Sequence, residues 1–425
     1  MRISVLYNPQ SPQIIPQPPQ QGYKLTRSAF IARARHGQKN GRKSSSSRSI
    51  GTKKMAEQKI LQLGKFYPIR GGVEKVMYDL MTGLAERGIH CDMLCAVEGP
   101  SETIRLNEKA SLIGCHAVVK AAATMISPAM VWKLRQICRE YDIIHVHHPD
   151  PMACLALFLS GYKGRVVLHW HSDILKQKFL LQLYRPLQRW LINRAEWIVG
   201  TTPLYLQESP YLSDVQAKTS CVPIGILPPV TSHAAAAAIR AQYPGKKIVF
   251  SLGRLVEYKG FEHLIEAARY LDDQFIVLIG GDGPLKEKLQ ADIDRLDVAS
   301  KVKLLGSLND DELPAYYEAC DLFCLSSVYK TEAFGIVQIE AMSYGKPVVA
   351  TTIKGSGVHW VNAEGISGLN APCGNARKLA QAITAVTQPA AYEQYAEGAQ
   401  ARFQSLFTLD RMIENTLRVY SQTTV

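Results

Sequence analysis

From residue 59 onward, short apolar runs alternate with longer amphipathic ones. Lys59-Ile-Leu-Gln-Leu-Gly64 reads as a buried strand. Residues 73–87 follow with apolar side chains at Val73, Val76, Met77, Leu80 and Leu84, the spacing of a helix, which stops at Gly88. The pattern then predicts strand 90–97, helix 131–140, strands 143–147 and 166–169, helix 180–194 and strand 197–200. Val222-Pro-Ile-Gly-Ile-Leu-Pro-Pro229 interrupts it, and an alanine run (234–238) and Tyr243-Pro-Gly245 follow. An interdomain linker is therefore predicted over 226–246. The alternation restarts with strand 248–252, helix 260–270, strand 275–279, helix 285–296 and strand 302–305. Helix 311–320, strand 322–325, helix 336–344, strand 347–350 and a last helix over 409–422 complete it. Strands alternating with helices imply parallel sheets covered on both faces. The fold class is α/β, with two doubly wound Rossmann-like domains over 55–225 and 247–408 and a terminal helix in 409–425.

A length of 425 residues suits two domains. The net charge of +12 suggests nucleic acid or membrane until its distribution is examined. Residues 1–54 hold eleven of the 49 basic side chains and none of the 37 acidic ones, so the rest is nearly neutral. Nucleic acid is not an expected partner. The leader is rich in Gln, Pro, Ser and Arg, a composition too poor in apolar surface to offset ordering entropy, and is expected to be disordered. Three readings fit it: an over-extension upstream of a true start at Met55, a functional basic tail, or a transit-type peptide, against which its prolines argue. Nine cysteines without a CxxC pair read as buried free thiols in a reducing compartment. The longest apolar run, 152–159, is too short to span a bilayer. A cytoplasmic protein is expected, with contact at the inner face of the cytoplasmic membrane as an option. The helix carrying Arg185, Arg189 and Arg194 among Leu, Tyr and Trp could lie on acidic lipid, or simply pack on its own domain.

The most informative string is Glu332-Ala-Phe-Gly-Ile-Val-Gln-Ile-Glu340. It places Glu332 in a loop before a helix and Glu340 about one turn inside. Unpaired N–H groups around Phe334, Gly335, Ile336 and Val337 suit a phosphate, and the two carboxylates suit a sugar and a ribose. Arg254 and Lys259, five apart after the first strand of the second domain, suit a leaving diphosphate, one by a bidentate fork and the other as a point charge. Gly281 and Gly283 lie between a strand and a helix, where a nucleotide could rest on backbone or where a tight turn alone needs them. Gly71 and Gly72 permit the same close approach after the first strand, without the GxGxxG spacing of a dinucleotide site. Leu168-His-Trp-His-Ser-Asp173 ends another strand, and Ile144-His-Val-His-His-Pro-Asp150 adds three histidines. His169 and His171 are expected to differ in direction, so that one faces the cleft. The five histidines invite a zinc reading, but no cysteine or carboxylate set completes a shell, and no metal is expected. Asp292 and Asp294 fall within a helix, where i and i+2 point apart, and read as a solvated face.

From Met55 on, these motifs resemble those of the family-4 glycosyltransferases, retaining enzymes of the GT-B fold. Thr331-Glu-Ala-Phe-Gly-Ile-Val-Gln338 and Gly355-Ser-Gly-Val-His-Trp-Val-Asn362 look most like bacterial mannosyl- or rhamnosyltransferases of O-antigen and exopolysaccharide assembly. The resemblance implies transfer of a hexose from a nucleoside-diphosphate sugar, GDP favoured over UDP, to a lipid-linked or glycan acceptor, without metal or cofactor. It implies catalytic roles for Glu332, Arg254 and Lys259, and for His171 as the better match to the family's acceptor-side histidine, with Asp173 orienting it or the acceptor. It places Gly71 and Gly72 along the diphosphate and acceptor side, Glu340 on the ribose, and the last helix back on the first domain. Retention by front-face departure, with the leaving phosphate helping to deprotonate the acceptor, is the implied route. A nucleotide-sugar epimerase or hydrolase of the same fold, or a non-catalytic nucleotide-sugar binder, would use similar contacts.

Overall fold

The computed structural model describes residues 57–69, 71–121, 124–174 and 178–422; the basic stretch 1–54 lies outside them. The first domain opens with β1 (Lys59–Tyr67), α1 (Gly72–Glu86), β2 (His90–Val97), β3 (Glu102–Arg105) and β4 (Ser111–His116). A small hairpin, β5 (Val119–Ala121) and β6 (Thr124–Ile126), leads to α2 (Pro128–Ile137). Then come β7 (Ile143–His148), α3 (Pro151–Ser160), β8 (Arg165–Trp170), α4 (Lys178–Arg194), β9 (Trp197–Gly200), α5 (Pro203–Glu208) and β10 (Thr219–Cys221). Among the described residues these strands form one sheet in the order β10-β9-β8-β7-β1-β2-β4-β3, parallel except for the β3 edge. Ile60, Leu61 and Leu63 of β1 are wholly buried on both faces, as in a parallel strand covered by helices on each side.

The second domain contains α6 (His233–Gln242), β11 (Lys247–Leu252), α7 (Phe261–Ala267), β12 (Phe275–Gly280), α8 (Lys286–Arg295), β13 (Val302–Gly306) and α9 (Leu313–Ala319). It continues with β14 (Leu322–Leu325), α10 (Ile336–Ser343), β15 (Val348–Thr352), α11 (Val358–Val361), β16 (Gly368–Pro372), α12 (Ala376–Val386) and α13 (Pro389–Arg402). The parallel sheet runs β13-β12-β11-β14-β15-β16. The strand order reverses between β11 and β14, and in the first sheet between β1 and β7. Ligands of such sheets bind outside the carboxyl ends of the strands at these reversals.

The last helix, α14 (Leu409–Ser421), lies on the first domain. Ile413 sits so close over Gly83 that a Cβ there would be 2.1 Å from its Cδ1. Arg165 Nη1 donates to the Tyr420 carbonyl at 2.7 Å. Where the chain crosses over, Ile226 N donates to Phe407 O (2.9 Å) and Leu409 N to Ile226 O (2.8 Å).

One sequence expectation needs correction here, and some elements went unpredicted. The predicted linker 226–246 contains α6, whose Ala236 and Ile239 are buried and which packs on α9. Alanine is the strongest helix former, and Arg240 fixes this helix to Asp321 at 2.7 Å. Strands β3 to β6 and helices α11 to α13 were not anticipated. Strands such as Glu102-Thr-Ile-Arg105, at a sheet edge, carry little apolar period.

Candidate active site

The loops after β11 and β14 meet at the reversal of the second sheet. Gly260, at φ +61°, makes this contact feasible: a Cβ there would be 2.4 Å from Ser326 O. Ser326 Oγ donates to Lys259 O at 3.0 Å, and Val328 N to Tyr258 O at 2.9 Å. The junction holds Lys259 Nζ 2.5 Å from Glu332 Oε2, with each side chain 12% exposed. Ser327 Oγ donates to the same oxygen at 3.1 Å. Burial pulls the Lys259 pKa down, but the charge and hydrogen bond of Glu332, together with Tyr258 and Glu340, outweigh it and the net direction is up. Arg254 stands exposed on the first of these loops. A third loop lies against it. Gly281 has φ +131°, and a Cβ there would be 1.9 Å from Gly253 O; one on Gly283 would be 2.5 Å from Leu255 O. These glycines are required by loop-on-loop packing, which seats residues 281–283 beside Arg254.

α10 begins at Gly335, whose φ of +75° is left-handed. Phe334 is buried and meets Phe407 edge-on at 6.0 Å. Ile336 and Val337 are half-buried. Ile336 reaches across to the first domain, where a Cβ on Gly72 would be 2.7 Å from its Cδ1. Gly71 precedes it as the extended residue before α1. One turn into α10, Glu340 accepts a hydrogen bond from Tyr317 Oη at 2.6 Å. Its burial raises its pKa against the opposing effects of Tyr317 and Lys75. Glu340, Ile336, Lys75, Asp79 and residues 224–227 line an interdomain cavity of about 190 Å³, and Lys75 is ion-paired with Asp79.

On the first domain's side, both His169 and His171 lie on one face, not opposite ones. Residues i and i+2 of an extended chain point the same way, and the two rings stack at 3.9 Å. His169 is wholly buried, and His171, just past the end of β8, is 5% exposed. The paired register His147↔His169 brings His145 and His147 onto the same face. His147 Nδ1 lies 2.8 Å from His171 Nε2, and its Nε2 lies 2.7 Å from Gln62 Oε1. Burial pushes all of these imidazoles well below the usual histidine range; His169 falls to about 3. Asp173 accepts from Trp170 Nε1 (2.9 Å) and Ser209 Oγ (2.7 Å) and forms an ion pair with Lys330 Nζ at 2.8 Å. Lys330 belongs to the second domain's 326–335 loop, so this pair bridges the cleft.

A family model described as "Glycosyl transferases group 1" matches residues 235–402, and one described as "Glycosyltransferase Family 4" matches 70–226. Together they span most of the chain. The chain belongs to the GT-B glycosyltransferases. Its relatives include the O-antigen chain mannosyltransferase C of Escherichia coli, 29% identical over 84% of this chain and 96% of that protein. The D-rhamnosyltransferase WbpZ of Pseudomonas aeruginosa is 29% identical over 80% and 88%. HepE of Anabaena, solved in complex with UDP, shares the fold at a TM-score of 0.67 and 22% identity, covering 85% of this chain and 99% of its own.

In this glycosyltransferase the group 1 match contains Arg254, Lys259, Glu332 and Glu340, and the family 4 match contains the histidines and Asp173. The fold brings the two sets to opposite walls of one cleft. Sequence reasoning missed Lys330, Tyr317, Gln62 and Tyr420, which act through partners far away in the chain; a signal existed only for Lys330, a cation two residues before Glu332. Asp292 pairs with Arg295 at 2.7 Å on the surface of α8. Cys373 is exposed and Cys221 half-buried, while the other seven cysteines are buried free thiols. Among the described residues no helix is long and apolar enough to cross a membrane.

Proposed function

We propose that this glycosyltransferase moves a hexose, mannose or a deoxyhexose, with retention from a nucleoside-diphosphate sugar to a lipid-linked or polysaccharide acceptor, as in O-antigen assembly. The observation that carries the reading is the Lys259–Glu332 pair at the reversal of the second sheet, beside Arg254 and the start of α10. The UDP bound in HepE and the activities named for the two bacterial relatives support the donor class and the sugar. A GDP-sugar is favoured over a UDP-sugar by likeness to mannosyl- and rhamnosyltransferases.

The chemical difficulty is charge separation. As the anomeric bond breaks, the sugar becomes oxocarbenium-like and the diphosphate gains negative charge. Lys259 exchanges its carboxylate partner for phosphate oxygens, Arg254 forks onto the same group, and backbone N–H groups at α10 complete the cradle without a metal. Glu332, released from Lys259, accepts hydroxyls of the transferred sugar. Glu340 takes the ribose hydroxyls. His171, kept neutral by burial, offers its remaining nitrogen to the sugar, and the departing phosphate takes the acceptor proton on the same face. Contact with anionic lipid through the exposed Arg185 and Arg189 of α4 would bring the enzyme to a lipid-linked acceptor.

Thermal shift with GDP, UDP and their sugars, followed by mass spectrometry of a glycan acceptor, tests this. GDP compounds should raise Tm most and the acceptor should gain one hexose. Sugar or nucleotide released without acceptor would point to the epimerase or hydrolase reading, and binding without turnover to a sensor. No shift with any nucleotide would end the proposal.

A further inference from the structure

We propose that His145, His147 and His169 form a buried site for a borderline-soft divalent transition metal, zinc foremost, beneath the C-terminal helix. One nitrogen from each residue lies within 4.8 Å of the others, and all three side chains are fully buried. His145 Nε2 and both nitrogens of His169 make no hydrogen bond there. Buried polar atoms are normally partnered because leaving them bare costs free energy, so bare nitrogens on two of the three stacked rings, His145 and His169, point to a ligand. Strand geometry assembles them: His145 and His147 are i and i+2 on β7, and His169 is the β8 partner of His147.

The outer contacts also match. Gln62 Oε1 is an acceptor, so His147 Nε2 carries the proton and its Nδ1 keeps a lone pair on the cluster's side, now meeting His171. Tyr420 Oη accepts from Gln62 Nε2 at 3.3 Å and lies 2.6 Å from His145 Nδ1; with Nδ1 carrying the proton to that oxygen, Nε2 holds the lone pair for the metal. Ligating imidazoles typically hold their second nitrogen in this way. Burial keeps the three rings neutral, the form that binds metal. The charge of Lys65 reaches the cluster, and it also acts on the carboxyls of Asp150 and Glu74, whose pKa values burial raises. An all-imidazole set suits zinc, copper or nickel; it needs no cysteine or carboxylate, the lack of which argued against a metal from sequence alone. The ion would tie β7 to β8 and, through Tyr420, to α14. It sits behind His171 and serves the fold, so the inference stands apart from the donor and acceptor proposed above.

The full chain, carrying a tag without histidine, is grown in zinc- or cobalt-supplemented medium, washed with chelator and analysed by elemental mass spectrometry. About one metal ion per chain is expected, and visible d–d absorption from the cobalt-grown protein. His169→Ala and His145→Gln should lower retention by at least about tenfold, and Tyr420→Phe by about tenfold; His233→Ala, on the surface, should not. Wild-type protein free of metal in both media, with no cobalt spectrum, overturns the proposal. That measurement decides even if the histidine variants misfold.

Discussion

Lys259 and Glu332 neutralise each other before any substrate arrives. An exchange in which the ammonium turns to phosphate and the carboxylate to sugar hydroxyls keeps both charges partnered throughout. Loss of one donor to developing charge costs about 3 kcal/mol, a hundredfold or more in rate. Lys259→Ala and Arg254→Ala should therefore each lower kcat/KM about a hundredfold, read as nucleoside diphosphate released, with an unchanged circular dichroism spectrum. The pair also has a pH signature. The folded Lys259 pKa is raised above its ordinary 10.5, so its stabilisation is complete below that pH and is lost as pH climbs through the folded value. The Tm gap between wild type and Lys259→Met should hold from neutral pH to about 10 and close above it. These residues were legible in sequence because they sit at strand ends and a helix start within short strings. The partners of Asp173 and Glu340 were not: Lys330 is 157 positions and Tyr317 is 23 positions away.

At the scale of elements, the glycines decide which loops can meet. Gly281 needs both its left-handed φ and its missing Cβ. Gly281→Ala should destabilise the protein by about 1–3 kcal/mol, seen as a lower denaturant midpoint, and should displace the loop beside Arg254, weakening nucleotide binding too. Gly72 is different. A Cβ there would meet only the tip of the Ile336 side chain, which can rotate, so Gly72→Ala should be the milder change. The strand period, correctly applied, places His145, His147, His169 and His171 on one face. The expectation that His169 and His171 diverge failed on that point of geometry.

For the whole molecule, the cavity beside Glu340 is the informative dimension. At about 190 Å³ it is smaller than the roughly 300–1,000 Å³ of ordinary ligand sites; if Glu340 takes a ribose as proposed, the domains would have to part to admit it. The Lys330–Asp173 pair resists that movement. Lys330→Met should leave the Asp173 carboxylate without its cation at a cost of about 2 kcal/mol, and should raise hydrogen exchange across 326–335. The C-terminal helix resists separation from the other side. Leu409, Met412, Ile413, Val419 and Tyr420 are all buried, and at roughly 1.5–3 kcal/mol each their loss rivals the whole stability of about 5–15 kcal/mol. Ending the chain at residue 408 should give a protein that aggregates or binds a hydrophobic dye, with no cooperative melt.

Sequence alone determined the α/β alternation, the two-domain division and the string that carries Glu332 and Glu340, because periodicity and loop chemistry are local. Tertiary structure decided what faces the cleft, which loops touch, that the alanine run folds as a helix on the second domain, and that β1, β7, β8 and α14, far apart in the chain, surround one histidine cluster. Those outcomes depend on strand order and on packing between residues hundreds of positions apart, which no local pattern encodes.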